Sequence, residues 1–127
     1  IQAEKRMLSS MSPTIIEKNN NFYMALGTPG GSTIITSVIQ TILNVHEFNM
    51  SMEESVNSSR FHHQLFPDVI KIEKKKFNDD VLVELKNDGY DLEFVNPYGR
   101  VDGILALECG CYEGGSDNRG NDYAIGF

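Results

Sequence analysis

The feature that most constrains this chain is a glycine-rich bend that runs directly into a helix. The bend Gly27–Ser32 precedes the segment Thr33–Phe48, where apolar residues recur at helical spacing and predict an inward face: Ile35, Val38, Ile39, Ile42, Leu43 and Val45. Glycines let the backbone approach a ligand, and a helix start offers unpaired N–H groups and partial positive charge. The pattern predicts an anion site, or a pocket for charge developing on an oxygen during acyl transfer. A turn that needs glycine only to reverse direction is the alternative.

Composition narrows the classes of function. The chain has 127 residues with 11 Lys and Arg against 18 Asp and Glu, which gives a net charge of −7. Its length suits one hydrophobic core. The acidic balance argues against general nucleic-acid binding, and the basic run Lys74–Lys76 beside Glu73 is interpreted as a solvated turn. No segment has the apolar length of a membrane span, and Ile1–Met11 lacks the apolar core of a signal peptide. We therefore expect no nucleic acid partner and no membrane contact from this segment.

Two cysteines stand in the short motif Glu-Cys-Gly-Cys. A bridge between Cys109 and Cys111 across one residue would be strained, so it is not expected to staple the fold. A lone Cys-x-Cys is a weak zinc motif. The neighbouring His62 and His63 would point to opposite sides of an extended segment. We expect neither a metal site nor a cofactor.

Periodicity and turn residues predict a single α+β domain over residues 1–127, with a largely antiparallel sheet and helices packed on one face. The predicted strands are Thr14–Glu17, Phe22–Leu26, Val69–Glu73, Tyr90–Val95, Arg100–Cys109, Cys111–Glu113 and Tyr123–Phe127. Besides Thr33–Phe48, helices are predicted from Met52, behind a Ser51/Glu54 capping box, and from Asn78 or Asp79 through Lys86. In the last helix Val81, Leu82 and Leu85 are expected to face inward. The segment Arg60–Asp68 is predicted to be irregular.

Three polar segments could take part in chemistry. The hydroxyls of Ser9 and Ser10 could bind a carboxylate or satisfy a turn. Arg60–Gln64 contains histidines that could act as a base, although a histidine held by backbone hydrogen bonds is the favoured interpretation. Ser116–Arg119 is predicted to be an ion-paired turn. No Gly-x-Ser-x-Gly motif supports a Ser-His-Asp hydrolase.

Taken in order, the blocks resemble one known family. They are Leu-Ser-Ser-Met-Ser-Pro-Thr, Gly-Thr-Pro-Gly-Gly-Ser-Thr-Ile-Ile-Thr, Arg-Phe-His-His-Gln and Gly-Gly-Ser-Asp-Asn-Arg. This series closely resembles the C-terminal part of the small subunit of gamma-glutamyltranspeptidases, from Lys5 to Phe127. The resemblance implies an N-terminal-nucleophile hydrolase with a four-layer αββα sandwich, present here in part, matured by self-cleavage into large and small subunits.

The resemblance also implies a reaction and roles for particular residues. In this family the Thr that starts the small subunit attacks the gamma-glutamyl amide, typically of glutathione, with its own amino group as base. The acyl group then passes to water, an amino acid or a peptide. Ser9 and Ser10 match the serines that hold the substrate's α-carboxylate. Gly30 and Gly31 match the residues whose N–H groups form the oxyanion hole. The implied location is periplasmic, secreted or at the cell surface.

Departures from the family pattern set further expectations. Ile1 is not Thr, so the resemblance places the nucleophile upstream of this chain, and we expect this chain alone to be inactive. Its expected partners are the large subunit, the upstream part of the small subunit and a gamma-glutamyl substrate such as glutathione. Without those layers, exposed sheet edges and apolar faces favour self-association.

Two other functions remain open. The chain could be a catalytically inactive carboxylate-binding module, which a missing Thr at the cleavage junction would favour. It could also belong to a related acylase on the same scaffold, acting on poly-gamma-glutamate or on a side-chain amide.

Overall fold

A computed structural model describes residues 2–5, 11–74 and 77–126. Within these ranges the strands are β1 (Thr14–Lys18), β2 (Asn21–Gly27), β3 (Phe61–His62), β4 (Ile70–Glu73), β5 (Leu92–Val95), β6 (Asp102–Ala106) and β7 (Tyr112–Gly115). The helices are α1 (Ile34–His46), α2 (Met52–Asn57) and α3 (Asp79–Asn87), with a short 3-10 turn, Gly31–Thr33, in front of α1.

The larger sheet has the order β1-β2-β6-β7, and every neighbouring pair is antiparallel. Asn19 and Asn20 have positive φ values of 54° and 62° in the β1–β2 turn. Asparagine tolerates this left-handed conformation better than most residues, which explains the tight hairpin. The predicted α+β fold with a largely antiparallel sheet is confirmed.

The smaller sheet has the order β3-β4-β5 and contains one parallel pair, β4 with β5, joined through α3. β3 lies inside the segment predicted to be irregular. Two residues cannot show an alternating pattern, and this strand exists because Phe61 and His62 pair with Ile72 and Lys71. The predicted strand Tyr123–Phe127 is wrong over its described residues, because 123–126 pair with no strand of the described chain.

The core lies between the larger sheet and the helices α1 and α2. It is formed by Met24, Leu26, Ile34, Val38, Val45, Met52, Val56, Val101 and Leu105. The paired Gly103 and Gly115 let α2 approach the sheet, because a Cβ at either position would come within 2.7 Å of Met52. The capping box predicted at Ser51 and Glu54 is present in full.

The helical face predicted for α1 is partly wrong. Ile35 and Ile39 are 76% and 51% exposed, and Leu43 is also exposed. Thr41, which is not among the residues of the predicted inward face, is buried, and its hydroxyl donates to the Ser37 carbonyl. Apolar residues surround most of this helix, so periodicity alone could not select the face that meets the sheet. Ile35, Ile39 and Leu43 form an exposed apolar stripe on α1.

The inward face of α3 is narrower than predicted. Val81 is exposed, whereas Leu82 and Leu85 are half-buried.

Cys109 and Cys111 are joined by a disulfide in the turn between β6 and β7. The bridge closes this one turn and joins no separate elements.

Candidate functional site

The glycine-rich bend lies at the end of β2, next to the segment that leads into β1. Met11 pairs with Pro29 in an isolated antiparallel bridge, and Gly27 packs against Pro13. The structure therefore brings together two of the segments that the sequence singled out. Ser9 and Ser10, the predicted carboxylate ligands, lie outside the described residues.

The two glycines of the bend have conformations that other residues rarely adopt. Gly30 has a φ of 148°, and a Cβ there would lie 2.7 Å from the Thr33 hydroxyl oxygen. Gly31 has a φ of 58°, and apart from its chain neighbours no heavy atom of the described residues lies within 4 Å of the position that a Cβ would take. The Gly30 carbonyl accepts hydrogen bonds from the backbone N–H and the hydroxyl of Thr33, at 3.2 and 2.9 Å. This end of the bend is fixed to the start of the helix, while no described residue outside the bend packs against the Gly31 Cα.

Thr28 fixes the other end of the bend. It is fully buried; its hydroxyl donates to the Pro29 carbonyl at 2.7 Å and accepts from the Arg100 N–H at 2.9 Å. Gly99 permits this close approach, because a Cβ there would lie 3.4 Å from the Thr28 hydroxyl oxygen and 3.3 Å from Arg60 Nη1. The bend is therefore held by the segment just before β6.

That segment is held in turn by a buried ion-pair cluster, which consists of Arg60, Glu73, Asp117 and Arg119. Arg60 binds Asp117 at 2.5 Å, and Arg119 binds both Asp117, at 2.9 Å, and Glu73, at 2.5 Å. Arg60 Nη1 also donates to the Tyr98 carbonyl, and Glu73 accepts the Tyr98 N–H. The cluster thus connects the smaller sheet, the 98–100 segment and the predicted ion-paired turn, which is confirmed at Asp117 and Arg119.

The charges of the cluster are stabilised by their partners. Burial would raise the pKa of Glu73, but hydrogen bonds from Arg119, Arg60 and Tyr98 hold that pKa below its ordinary value. For Asp117, burial is likewise outweighed by backbone N–H groups and by Arg60, so its pKa is lowered. Burial opposes the charge of Arg119, but the two carboxylates raise the pKa of Arg119. All three groups are therefore charged at neutral pH.

The histidines of the Arg60–Gln64 segment occupy structural positions. His62 is buried, with Nδ1 at 2.8 Å from the Thr36 hydroxyl oxygen and Nε2 at 3.0 Å from Gln64 Oε1. His63 Nε2 lies 2.9 Å from a carboxylate oxygen of Asp68. The prediction that a histidine here is held by backbone hydrogen bonds is wrong, because both histidines contact side chains. A structural role for these histidines agrees with the contacts.

The predicted site and the structure overlap in part. Gly30 and Gly31 lie in one open bend. Thr28 and the ion-pair cluster were not predicted as supports of this bend. In the sequence, the signals that could have pointed to these supports were a threonine between Gly27 and Pro29 and charged residues of both signs in the segments that form the cluster.

Among the described residues no three His, Cys, Asp or Glu side chains gather as metal ligands. In the same ranges no helix combines the length and apolarity of a membrane span.

The solved structures that this chain resembles give its fold class, that of the N-terminal-nucleophile hydrolases. The chain superimposes on a Helicobacter pylori gamma-glutamyltranspeptidase with a TM-score of 0.85 and 43% identity, covering 94% of this chain and 66% of that one. It superimposes on the Pseudomonas nitroreducens enzyme complexed with L-DON with a TM-score of 0.86 and 38% identity, covering 100% of this chain and 67% of that one. A Bacillus halodurans cephalosporin acylase shares the fold alone, at 20% identity and a TM-score of 0.76.

Sequence comparison gives the family. The family profile described as gamma-glutamyltranspeptidase matches residues 1–127, and the chain belongs to this family. It is 39% identical over 118 residues to the Escherichia coli glutathione hydrolase proenzyme, covering 93% of this chain and 20% of that protein. It is 43% identical over 95 residues to the Pseudomonas aeruginosa glutathione hydrolase proenzyme, covering 73% of this chain and 17% of that protein. The chain thus spans about a fifth of the length of these relatives.

Proposed function

We propose that this chain is part of a glutathione hydrolase and gamma-glutamyltransferase, and that it supplies the oxyanion hole and the carboxylate-binding serines of the active site. The observation that supports the proposal is the Met11–Pro29 bridge, because Met11 follows Ser10 in the chain and Pro29 precedes Gly30. Relatives named glutathione hydrolase proenzymes match over most of the chain. Residues 1–127 are proposed to be one domain within that larger enzyme.

In this proposal the amides of Gly30 and Gly31 bind the substrate's carbonyl oxygen as it gains negative charge. Positive φ at both glycines turns successive peptide planes, and the described residues leave room for a ligand at Gly31. No acceptor in the described chain takes a hydrogen bond from the Gly31 N–H. Pre-oriented N–H donors of this kind lower an acyl-transfer barrier by about 3–4 kcal/mol each.

Ser9 and Ser10 are proposed to bind the α-carboxylate of the gamma-glutamyl group. Ser10 is the residue immediately before Met11 in the chain. Met11 in turn pairs with Pro29, which immediately precedes Gly30. Chain connectivity therefore supports a common pocket for the serines and the glycine bend.

The reaction divides between this chain and the rest of the enzyme. A threonine hydroxyl outside residues 1–127 attacks the gamma-glutamyl carbonyl carbon, its proton passes to a base, and the amine leaves with a proton. The resulting ester is then attacked by water, an amino acid or a peptide, which releases the threonine. This chain's role is to bind the carboxylate and to stabilise the negative oxygen in both steps.

The partners proposed for this chain are the large subunit and the upstream part of the small subunit. The exposed apolar stripe on α1, formed by Ile35, Ile39 and Leu43, suits such a partner because water contact with it is unfavourable. We further propose that the enzyme acts in the periplasm, outside the cell or at the cell surface, where the family resemblance places it.

The test compares two glycines with similar backbone geometry in the complete gene product. Gly31 and Gly89 both have positive φ, 58° and 92°, and among the described residues, chain neighbours aside, neither has a heavy atom within 4 Å of a Cβ position. Gly31→Ala and Gly89→Ala should therefore have similar conformational costs of about 1–2 kcal/mol. Alanine at position 31 keeps the N–H but adds a methyl group beside the proposed oxyanion position, so with a gamma-glutamyl anilide Gly31→Ala should lower kcat by about tenfold or more. Gly89→Ala should leave kcat unchanged.

The serines provide the second measurement. Ser9→Ala and Ser10→Ala should raise KM by about 10-fold or more, because each removes a hydrogen bond to a charged group. Equal activity of the wild-type and Gly31→Ala enzymes, or unchanged KM in both serine variants, would refute the proposed roles. A complete gene product that binds glutamate without turnover would instead identify a carboxylate-binding module.

A further inference from the structure

The disulfide of this chain lies in the exposed turn between β6 and β7, far along the sheet from the glycine bend. β6 runs antiparallel to β2, with Asp102 opposite Gly27 and Leu105 opposite Met24. The turn after Ala106 is therefore at the opposite end of the sheet from Thr28. Any chemistry of the disulfide is separate from the proposed acyl-transfer site.

The position of the disulfide indicates that it contributes little to the fold. One residue, Gly110, separates Cys109 from Cys111, so the bond closes a very short loop. The stabilisation that a disulfide gives by restricting the unfolded chain grows with loop length and is small here. The disulfide is therefore an exposed reactive group that contributes little to the stability of the fold.

The hairpin has its own supports, which do not involve sulfur. The Leu107 N–H donates to the Cys111 carbonyl at 2.9 Å, and the Gly110 N–H donates to the Leu107 carbonyl at 3.0 Å. β6 and β7 pair from Gly103 opposite Gly115 to Ala106 opposite Tyr112. The hairpin should therefore keep its pairing when the bond between Cys109 and Cys111 opens.

Both cysteines lie in an exposed stretch of the chain. All residues from Leu107 to Tyr112 are exposed, and Leu107 and Tyr112 at the two ends are 40% and 67% exposed. Thiol–disulfide exchange requires a thiolate to approach along the S–S axis, so access is a main determinant of its rate. Exposed disulfides are typically the ones that exchange with small thiols.

We propose that the Cys109–Cys111 disulfide is a thiol–disulfide exchange site for low-molecular-weight thiols. A thiolate attacks one cysteine sulfur, the protein S–S bond breaks, and the other cysteine leaves as a thiolate that takes a proton from water. A second thiolate then attacks the mixed disulfide and releases the second cysteine. In sum, two small thiols are oxidised to one small disulfide, and the protein disulfide is reduced to two thiols.

The local charge determines which thiols react faster. Glu108 is adjacent to Cys109, and Glu113 is two residues from Cys111. These carboxylates repel an anionic thiol such as glutathione and attract a cationic one such as cysteamine. The chain's net charge of −7 acts in the same direction.

The test follows the redox state of this disulfide in the folded complete gene product, in buffers of reduced and oxidised glutathione. Samples are quenched with an alkylating reagent, and the protein mass is measured by mass spectrometry. Circular dichroism of the same samples shows whether the fold is retained. The proposal predicts that samples with excess reduced glutathione gain two alkyl groups together, and that samples to which oxidised glutathione is then added gain none. The circular dichroism should be the same in both redox states. Cys109→Ser and Cys111→Ser should each form a mixed disulfide with glutathione, and the double variant should form none.

A charge variant makes the test sharper. Glu108→Gln should speed reduction by glutathione about twofold and leave reduction by neutral 2-mercaptoethanol unchanged. A disulfide that stays oxidised in the folded chain, but is reduced once urea is added, would overturn the proposal. Reduction that abolishes the native dichroism would overturn it as well, because the bond would then be a structural staple.

Discussion

Arg60 and Asp117, which lie 57 residues apart in the chain, form a buried salt bridge of 2.5 Å next to the segment that holds the glycine bend. The side chain of Arg60 is 3% exposed, and that of Asp117 is fully buried. Asp117 also accepts the Val101 N–H, and Arg60 also donates to the Tyr98 carbonyl. One pair thus fixes both sides of the 98–101 segment, which carries the N–H group that binds Thr28.

Removing the charge of Asp117 should strongly destabilise the chain. Asp117→Asn leaves Arg60 and Arg119 buried with too little negative charge, so we expect a loss of about 3–5 kcal/mol in the free energy of unfolding. Asp122→Asn is the matched control, because Asp122 pairs with Arg100 at the surface, with side chains 36% and 47% exposed. The control should cost less than about 1 kcal/mol. Urea unfolding of both variants checks the prediction, which equal losses would contradict.

The same cluster predicts a loss of stability in acid. The folded-state pKa values of Glu73 and Asp117 lie below the ordinary values of 4.5 and 3.8. Their contribution is therefore complete above those ordinary values and is lost as pH falls through the lower folded-state values. Unfolding free energy measured from pH 7 to pH 2 should fall below about pH 4. Asp117→Asn should show a shallower fall, and a slope equal to that of the unsubstituted chain would contradict this assignment.

Thr28 should support the glycine bend through its hydroxyl group. Thr28→Val keeps the shape of the side chain but leaves the Arg100 N–H without its acceptor, at a cost of about 1–3 kcal/mol. Thr28→Ser keeps the hydroxyl and should cost less. Hydrogen exchange of the Arg100 amide should be faster in the valine variant than in the serine variant. Identical exchange in the two variants would show that the hydroxyl does not hold this segment.

The exposed apolar stripe on α1 predicts self-association of the isolated chain. Ile39→Lys places a charge in the centre of the stripe and should weaken self-association about tenfold, which corresponds to about 1.4 kcal/mol. Asn87→Lys, at the exposed end of α3, is the control and should have little effect. Sedimentation velocity over a concentration series measures both. A chain that is monomeric at all concentrations, or equal weakening by both variants, would refute the role of the stripe.

Local sequence signals predicted the parts of the fold that depend on neighbouring residues. The asparagine turn, the Ser51 capping box and the helix that begins after Asn78 all follow from short-range chemistry. Strand β3 and the buried face of α1 depend on distant partners. Phe61 is in a strand because Ile72 lies opposite, and Ile39 is exposed because Val38 and Thr41 meet the rest of the fold.

The candidate site divides in the same way. A run of glycines before a helix is visible in the sequence, so Gly30 and Gly31 could be selected from it. The residues that support them could not be selected from the sequence. Thr28, Gly99 and Arg60 come from three separate segments that meet only in the folded chain. In the proposed function the bend acts together with Ser9 and Ser10, and this joint role is a prediction.

The most direct test of this account is a crystal structure of the complete gene product with glutamate bound. We predict that the Ser9 and Ser10 hydroxyls lie within hydrogen-bond distance of the α-carboxylate. The N–H groups of Gly30 and Gly31 should point to the oxygen of the side-chain carboxyl group. Glutamate bound at a distance from the bend, or serine hydroxyls turned away from its carboxylate, would contradict the proposed site.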